Sequence, residues 1–351
     1  MKLLKKGLIL LCLLGLLASF AGCSHNSDQP AEPIGKVYFN WFDTVTYVYS
    51  YAGDPAERFE ERSAGISGIL TEYHQLFDIY HEYSGINNLC TVNRLAGGDP
   101  VPVDPKLMEF LLYARELYDA TGGEMNILMG SVLTIWHDHR TAATENPAAA
   151  SLPELSALEA AATHTDFSLL EIDEQNGTVR LADPEASIDV GALGKGYATE
   201  MAARWLEEQG AGGYVLNVGG NIRIVGQKPD GSGWKTAIKD PKDPDSSYAA
   251  ILDLQDTACV TSGIYERFFT VEGKQYHHVI DRDTLFPAAQ FASVSIVTKD
   301  SGLADALSTA LFCMPYEDGR ALADRLGVQV LWIEHDGTLR YTDGMQALMT
   351  N

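Results

Sequence analysis

Three short stretches of the chain carry residue types able to do chemistry. The first, Asp189-Val190-Gly191-Ala192-Leu193-Gly194-Lys195-Gly196-Tyr197, places three glycines where a short strand should turn into a helix. Such a turn lets the main chain approach a ligand closely and presents N–H groups to an anion. Neither common nucleotide loop is matched. A P-loop has four residues between its first glycine and Gly-Lys-Ser/Thr; here two separate Gly191 from Gly194-Lys195, and Gly196 stands at the hydroxyl position. The order G-x-G-x-x-G is absent too, so the glycines leave two readings, a ligand loop or a tightly packed turn. In the second stretch, Asp305 and Thr309 stand four apart and share one face of an otherwise apolar helix. Their oxygens suit a hard cation such as Mg²⁺, which keeps several waters and borrows ligands from a substrate phosphate. Alternatively, Asp305 caps the helix or pairs with a base, and Thr309 bonds back to its own main chain. The third stretch, Tyr276-His277-His278-Val279-Ile280-Asp281, offers either histidine as a general base, a phosphate ligand or a structural imidazole. Read as a strand, it puts His278 and Asp281 on opposite faces, which excludes a simple dyad. Thr261-Ser262-Gly263-Ile264-Tyr265-Glu266-Arg267 and Asn217-Val218-Gly219-Gly220-Asn221 are two further polar turns.

These residues need elements to hold them. Leu107, Phe110, Leu111, Ala114, Leu117 and Tyr118 form one apolar stripe, opened by Asp104-Pro105 and closed near Gly122, which predicts a helix. Tyr197, Met201 and Trp205 mark a second helix ending at Gly210, and a third covers roughly Leu303 to Phe312. Strands are expected at Tyr214–Val218 and Ile222–Val225, joined through Gly219-Gly220-Asn221. Others are expected at Trp234–Ile238, Ala249–Leu254, Arg267–Val271, Tyr276–Ile280, Ala292–Thr298, Val328–Ile333 and Thr338–Tyr341. Ala142 to Ala150 reads as a surface loop. Helices early and strands late, without βα alternation, predict an α+β fold.

Composition narrows the setting. With 48 acidic and 25 basic residues the chain is formally −23, a surface that repels phosphate backbones and excludes a nucleic-acid partner. Lys2, Lys5 and Lys6 precede an apolar run from Leu8 to Leu17 and then small residues, the layout of an export signal, too short for a comfortable membrane span. Phe20-Ala21-Gly22-Cys23 resembles a bacterial lipobox, with phenylalanine in place of the usual leucine; the alternative is an ordinary signal beside an incidental cysteine. On this reading residues 1–22 are a lipoprotein signal, Cys23 is lipidated, and 23–36 is a polar tether. Residues 37–345 are then one domain at the outer face of a cell membrane. Cys90, Cys259 and Cys313 lack metal-ligand spacing and read as small buried hydrophobes, or as one bridged pair and a remainder. Nothing points to haem, an iron–sulfur cluster or zinc.

Taken in order and spacing, Asp189–Tyr197, Leu216–Asn221, Thr261–Arg267, His278–Asp281 and Ala304–Ala310 resemble the ApbE family of FAD:protein FMN transferases. Phe42-Asp43-Thr44, Tyr80 to Asn93 and Gly122-Gly123 before a helix at Met125 extend the resemblance to nearly the whole chain after the tether. It implies an α+β, T-fold-like architecture, with helices on mixed or antiparallel sheets and FAD across a cleft. It implies Mg²⁺ held by the main-chain carbonyl of Ala192 and the side chains of Asp305 and Thr309. FAD contacts would come from Phe42, Tyr80, Glu124, Met125, Asn126, Lys195 and the Ser262-Gly263-Ile264 turn, while His278 activates the acceptor. The implied reaction moves FMN from FAD onto a threonine or serine hydroxyl of an extracytoplasmic or membrane redox subunit, and AMP leaves. Two segments depart from the family pattern. Gly122-Gly123-Glu124-Met125-Asn126-Ile127-Leu128 has an amide for the aspartate of Gly-Gly-x-Phe-Asp-x-Thr and lacks its threonine. His278-Val279-Ile280-Asp281-Arg282-Asp283-Thr284-Leu285 lacks the proline and glycine of His-x-Ile-Asp-Pro-x-Thr-Gly. Mg²⁺-dependent FAD hydrolysis and flavin binding without turnover are the competing expectations.

Overall fold

The computed structural model describes residues 33–350. The signal, Cys23 and most of the tether lie outside that range. The first described element, β1 (Ile34–Trp41), already begins inside the stretch read as tether and pairs antiparallel with β2 (Thr44–Ser50). A 22-residue helix, α1 (Ala56–Phe77), follows, then α2 (Leu89–Arg94), α3 (Pro105–Ala120), α4 (Gly130–Glu145) and α5 (Leu155–Ala162). The short strands β3 (Val101–Pro102), β4 (Leu170–Asp173) and β5 (Thr178–Leu181) make a small sheet beside them.

The second half supplies α6 (Gly194–Glu208), β6 (Tyr214–Val218), β7 (Asn221–Val225), β8 (Trp234–Lys239), β9 (Tyr248–Leu254), β10 (Ala258–Gly263), β11 (Phe269–Val271) and β12 (Lys274–Tyr276). It closes with β13 (Ser293–Thr298), α7 (Ser301–Cys313), α8 (Tyr316–Leu326), β14 (Gln329–Ile333), β15 (Leu339–Tyr341) and α9 (Asp343–Leu348). The main sheet runs β1-β2-β6-β7-β10-β13-β14-β15, antiparallel at every pairing. Helices α6 and α7 pack together on one face, with α1 against α6. The β8–β9 ribbon and α9 cover the other face through Trp234, Ile238, Leu252, Leu254 and Met345. Between these layers β13 is buried on both sides, so it reads as a continuous apolar run rather than an alternating one. The α+β expectation therefore holds, with antiparallel sheets.

The strong local signals land where expected. Asp104 caps α3 by accepting from Lys106 N at 2.8 Å, and Asp300 caps α7 by accepting from Leu303 N at 2.9 Å. Gly219 and Gly220 take φ of 56° and 92°, as a two-residue hairpin loop between β6 and β7 demands, while Asn221 belongs to the strand. Other expectations need correction. The strand expected over Tyr276–Ile280 ends at Tyr276, because His277 donates its side chain to a turn rather than a ladder. Arg267, expected to open a strand, takes φ 46°, and β11 starts only at Phe269. No helix begins at Met125. Residues 125–128 form a turn fixed by Asn126, and α4 starts at Gly130, where an added Cβ would meet Ser187 O at 2.4 Å. That helix runs through Glu145 and a 3-10 turn follows at Pro147–Ala149, so only Asn146 and Ala150 of the segment expected as loop lie outside helical turns. Cys90, Cys259 and Cys313 are all free, which removes the bridged-pair alternative. Among the described residues, no helix is long and apolar enough to cross a membrane.

Candidate functional site

The glycine-rich turn reaches α7 through one glycine. A Cβ on Gly196 would stand 2.3 Å from Ser301 O and 2.4 Å from Asp305 Cβ, so α6 and α7 approach each other only because that position has no side chain. At this contact Gly196 N donates to Asp305 Oδ2 at 2.8 Å. In a regular helix that amide would bond the carbonyl of Ala192, four residues back. Diverted to Asp305, it leaves Ala192 O with no hydrogen-bond partner among the described residues. Asp305 is buried, and burial raises its carboxyl above the usual range; Lys195, the Gly196 amide and Asn221 oppose that shift. Lys195 Nζ lies 3.7 Å from Asp305 Oδ2 and donates to Gly191 O at 2.9 Å. Asp305 is thus neither the cap of α7, which is Asp300, nor one half of a tight ion pair. Thr309 Oγ1 makes no hydrogen bond among the described residues; the back-bonding hydroxyl is that of Ser308, which donates to Asp305 O at 2.8 Å. Ser308 also meets Ser262 Oγ at 2.8 Å, tying the Ser262-Gly263-Ile264 turn at the end of β10 to the same helix. From β7, Asn221 presents a buried Oδ1 without a partner.

A hard cation fits this donor set. A buried carboxylate whose nearest cation stands at 3.7 Å, an orphaned carbonyl and an unengaged hydroxyl are all oxygens, and oxygen is what Mg²⁺ prefers. Among the described residues no cluster of three histidine, cysteine or acidic side chains exists, so phosphate oxygens and water would have to complete the shell.

A second group lines a cleft. His278 sits just after β12, half-buried, with Nδ1 3.1 Å from Glu266 O. A carbonyl only accepts, so Nδ1 carries the proton and Nε2 keeps its lone pair. Burial pushes the imidazole pKa down to about 3, helped by the nearby charges of Arg267 and Lys195. His278 is therefore a neutral base at physiological pH. His277 differs: it is buried, and its two nitrogens engage Ala288 O and Val279 N. Asp281 accepts from Asp283 N and Thr284 N and serves its own turn. Across the cleft Tyr80, largely exposed, places its hydroxyl 3.1 Å from His137 Nδ1. Arg140 on α4 and Arg267 complete the wall. Sequence reasoning missed His137 and Arg140 because α4 itself was not read, although the run Trp136-His137-Asp138-His139-Arg140 on a periodic apolar background was a signal.

The remaining expected contacts are divided. Phe42 turns at φ 54° between β1 and β2 and packs its ring on His74 at 5.4 Å. Met125 is buried in the core, so only its main chain remains available to a ligand. The Asn126 amide is occupied, donating to Thr165 O and accepting from Leu128 N. Glu124 lies 3.8 Å from Arg282, and Arg282 also donates to Gly122 O at 3.4 Å. The two segments that depart from the family pattern therefore touch one another.

Comparison with known proteins places the chain in a family. The ApbE family pattern matches residues 43–332. The FAD:protein FMN transferase of Treponema pallidum is 30% identical, over 86% of this chain and 85% of its own length. That of Klebsiella pneumoniae is 26% identical, over 93% and 92%. The crystal structure of the ApbE protein from Thermotoga maritima superposes with a TM-score of 0.79 at 25% identity, covering 91% of this chain and all of that one. The chain belongs to the ApbE family.

Proposed function

We propose that this protein is a Mg²⁺-dependent FAD:protein FMN transferase. It would move FMN from FAD to a threonine or serine hydroxyl of a partner flavoprotein and release AMP. The observation that carries this reading is the diverted Gly196 amide, which bonds the buried Asp305 carboxylate and leaves Ala192 O without a partner, in a family whose relatives are FAD:protein FMN transferases. Ala192, Asp305 and Thr309 would hold the metal, which when bound neutralises phosphate charge and orients the pyrophosphate. Lys195 adds a positive charge at the same place and, with the first turn of α6, favours an anion there. His278 Nε2 accepts the proton of the acceptor hydroxyl. The oxygen attacks the phosphorus of the FMN half, the bond from that phosphorus to the bridging oxygen breaks, and AMP departs with the bridging oxygen. Holding the hydroxyl, the base and the phosphate in line supplies most of the rate.

The basic n-region and Phe20-Ala21-Gly22-Cys23 support a lipid anchor on the outer face of a cell membrane, with exported subunits of redox complexes as acceptors. The test is incubation of the protein with FAD, Mg²⁺ and an acceptor peptide, followed by in-gel flavin fluorescence and AMP assay. Labelled peptide and AMP are expected, both lost in Asp305→Ala. AMP without labelling would indicate FAD hydrolysis, with water in place of the hydroxyl; flavin binding without AMP would reject turnover.

A further inference from the structure

We propose that Arg140 and Arg267, which line one cleft with His278, form an oxyanion subsite that seats a phosphate or carboxylate of a reactant brought to that histidine. The two guanidinium groups and His278 line one cleft with Trp136, His137 and His277. Many other arginines are claimed by carboxylates, among them Arg62 by Asp54, Arg204 by Glu200 and Asp300, and Arg223 by Glu200 and Glu207, while Arg58 on the exposed face of α1 and Arg325, which donates to Ala120 O, are not. Arg140 and Arg267 have no ion pair and no side-chain hydrogen bond among the described residues. The carboxylate whose charge acts on Arg140 is that of Asp189, whose Oδ1 accepts from Gly191 N inside the glycine-rich turn.

For Arg140 the arrangement is costly without a ligand, while Arg267 is exposed to solvent. Arg140 is half-buried, and burial and the charge of Arg267 both work against its protonated form. Arg267 is held at φ 46°, a left-handed conformation uncommon for arginine. The surrounding wall is fixed rather than adaptable: Trp136 donates to Leu285 O at 3.0 Å and packs on Phe269 and Tyr276, and His137 is tied to Tyr80. Two unpaired planar forks, kept close by rigid neighbours in a chain with 48 acidic residues available to pair them, match an external phosphate or carboxylate. Ala192, Asp305 and Thr309 are not among the residues lining this cleft, and His278 feels the charges of both Arg267 and Lys195.

The identity of the reactants rests on the flavin-transfer reading, but the subsite is measurable without flavin. Inorganic pyrophosphate is titrated calorimetrically into the intact protein in EDTA, where no metal can hold it. Arg140→Gln and Arg267→Gln are each expected to weaken binding about tenfold or more. Unchanged urea midpoints check that both variants fold. Binding that is absent in the wild type, or equal in wild type and variants, overturns the proposal. A second arm separates the sources. Loss of FAD affinity in the variants assigns a nucleotide phosphate. A raised KM for an acceptor peptide with an acidic residue near its hydroxyl, and not for the matching amide peptide, assigns an acceptor carboxylate. Arginine-dependent pyrophosphate binding with no flavin transferred to any acceptor would leave the subsite standing and reject the transferase.

Discussion

The contact at Gly196 gives a stability prediction whose size follows from geometry. Alanine normally stabilises a helix interior by about 1 kcal/mol relative to glycine. Gly68, exposed in the middle of α1 with open space where its Cβ would go, should behave that way: Gly68→Ala is expected to raise stability by about 0.5–1 kcal/mol. Gly196 is also helical, so propensity alone predicts the same sign. The structure reverses it. The added methyl would stand 2.3 Å from a main-chain oxygen and 2.4 Å from Asp305 Cβ, about 1 Å inside ordinary contact. Neither neighbour can rotate away, because one is backbone and the other is fixed to it. Separating α6 from α7 costs about 1–3 kcal/mol as overpacking. Stretching the 2.8 Å bond from Gly196 N to the buried carboxylate costs about a further 1.5–3 kcal/mol. After the propensity gain, a net loss of about 2–5 kcal/mol is expected. Urea unfolding of both variants, followed by circular dichroism, measures it, with AMP release from FAD as the companion assay. A Gly196→Ala midpoint within about 1 kcal/mol of wild type, with AMP release intact, would refute the claim that this glycine sets the spacing of the two helices.

Further predictions test other parts of the same frame. Arg223 is fully buried between Glu200 and Glu207, so Arg223→Ala should cost about 3 kcal/mol in urea unfolding, the low end for breaking a buried pair, because buried Glu200 keeps Arg204 and the Ser301 amide as partners. The folded pKa of His278, about 3, lies below its ordinary 6.5; its stabilising contribution is full above 6.5 and is lost as pH falls toward 3. Between pH 7 and 5 that amounts to about 2 kcal/mol, and urea melts of His278→Gln should lack that share of the slope. The same shift predicts a transfer rate without an inflection near 6.5, read from a pH profile of peptide labelling. Leu285 sits at φ 60° yet is buried against Trp136. Leu285→Gly should relieve about 1–2 kcal/mol of backbone strain but lose about 2–5 kcal/mol of packing, a net destabilisation visible as a lower melting temperature.

What the sequence made legible divides along physical lines. Helices α3, α6 and α7 and the β6–β7 hairpin announce themselves because each is specified locally, by a cap, an apolar period or a turn glycine. Asp305 and Thr309 follow from helical spacing alone, but their meaning does not. That depends on an amide 109 positions away giving up its own helix bond, a tertiary event no periodicity records. The long helix α1 is amphipathic but dilute in large apolar residues and carries two glycines, and it escaped reading; α4 has its stripe interrupted by polar residues that turn out to line the cleft. His277 and His278 are adjacent and chemically identical, and only the partners of their ring nitrogens separate a structural imidazole from a free base.

The two segments that break the family pattern are better explained together than apart. Arg282 stands where the family has proline, and its guanidinium reaches Gly122 O and the Glu124 carboxylate in the other altered segment. A Cβ on Gly123 would stand 2.2 Å from Arg282 Nη1, so that glycine, held at φ 89°, makes room for the side chain. Glu124 is partly buried, and burial raises its carboxyl while Arg282 opposes the shift, as a desolvated partner of that arginine should behave. Leu285, where the family has glycine, keeps the left-handed φ that a glycine would adopt, holding the turn through burial. In this chain a cation links the two turns, and a packed leucine holds the second at its left-handed φ. Neither change reaches Ala192, Asp305, Thr309 or His278. The ion pairs and side-chain hydrogen bonds of Arg282 stay within the two altered segments.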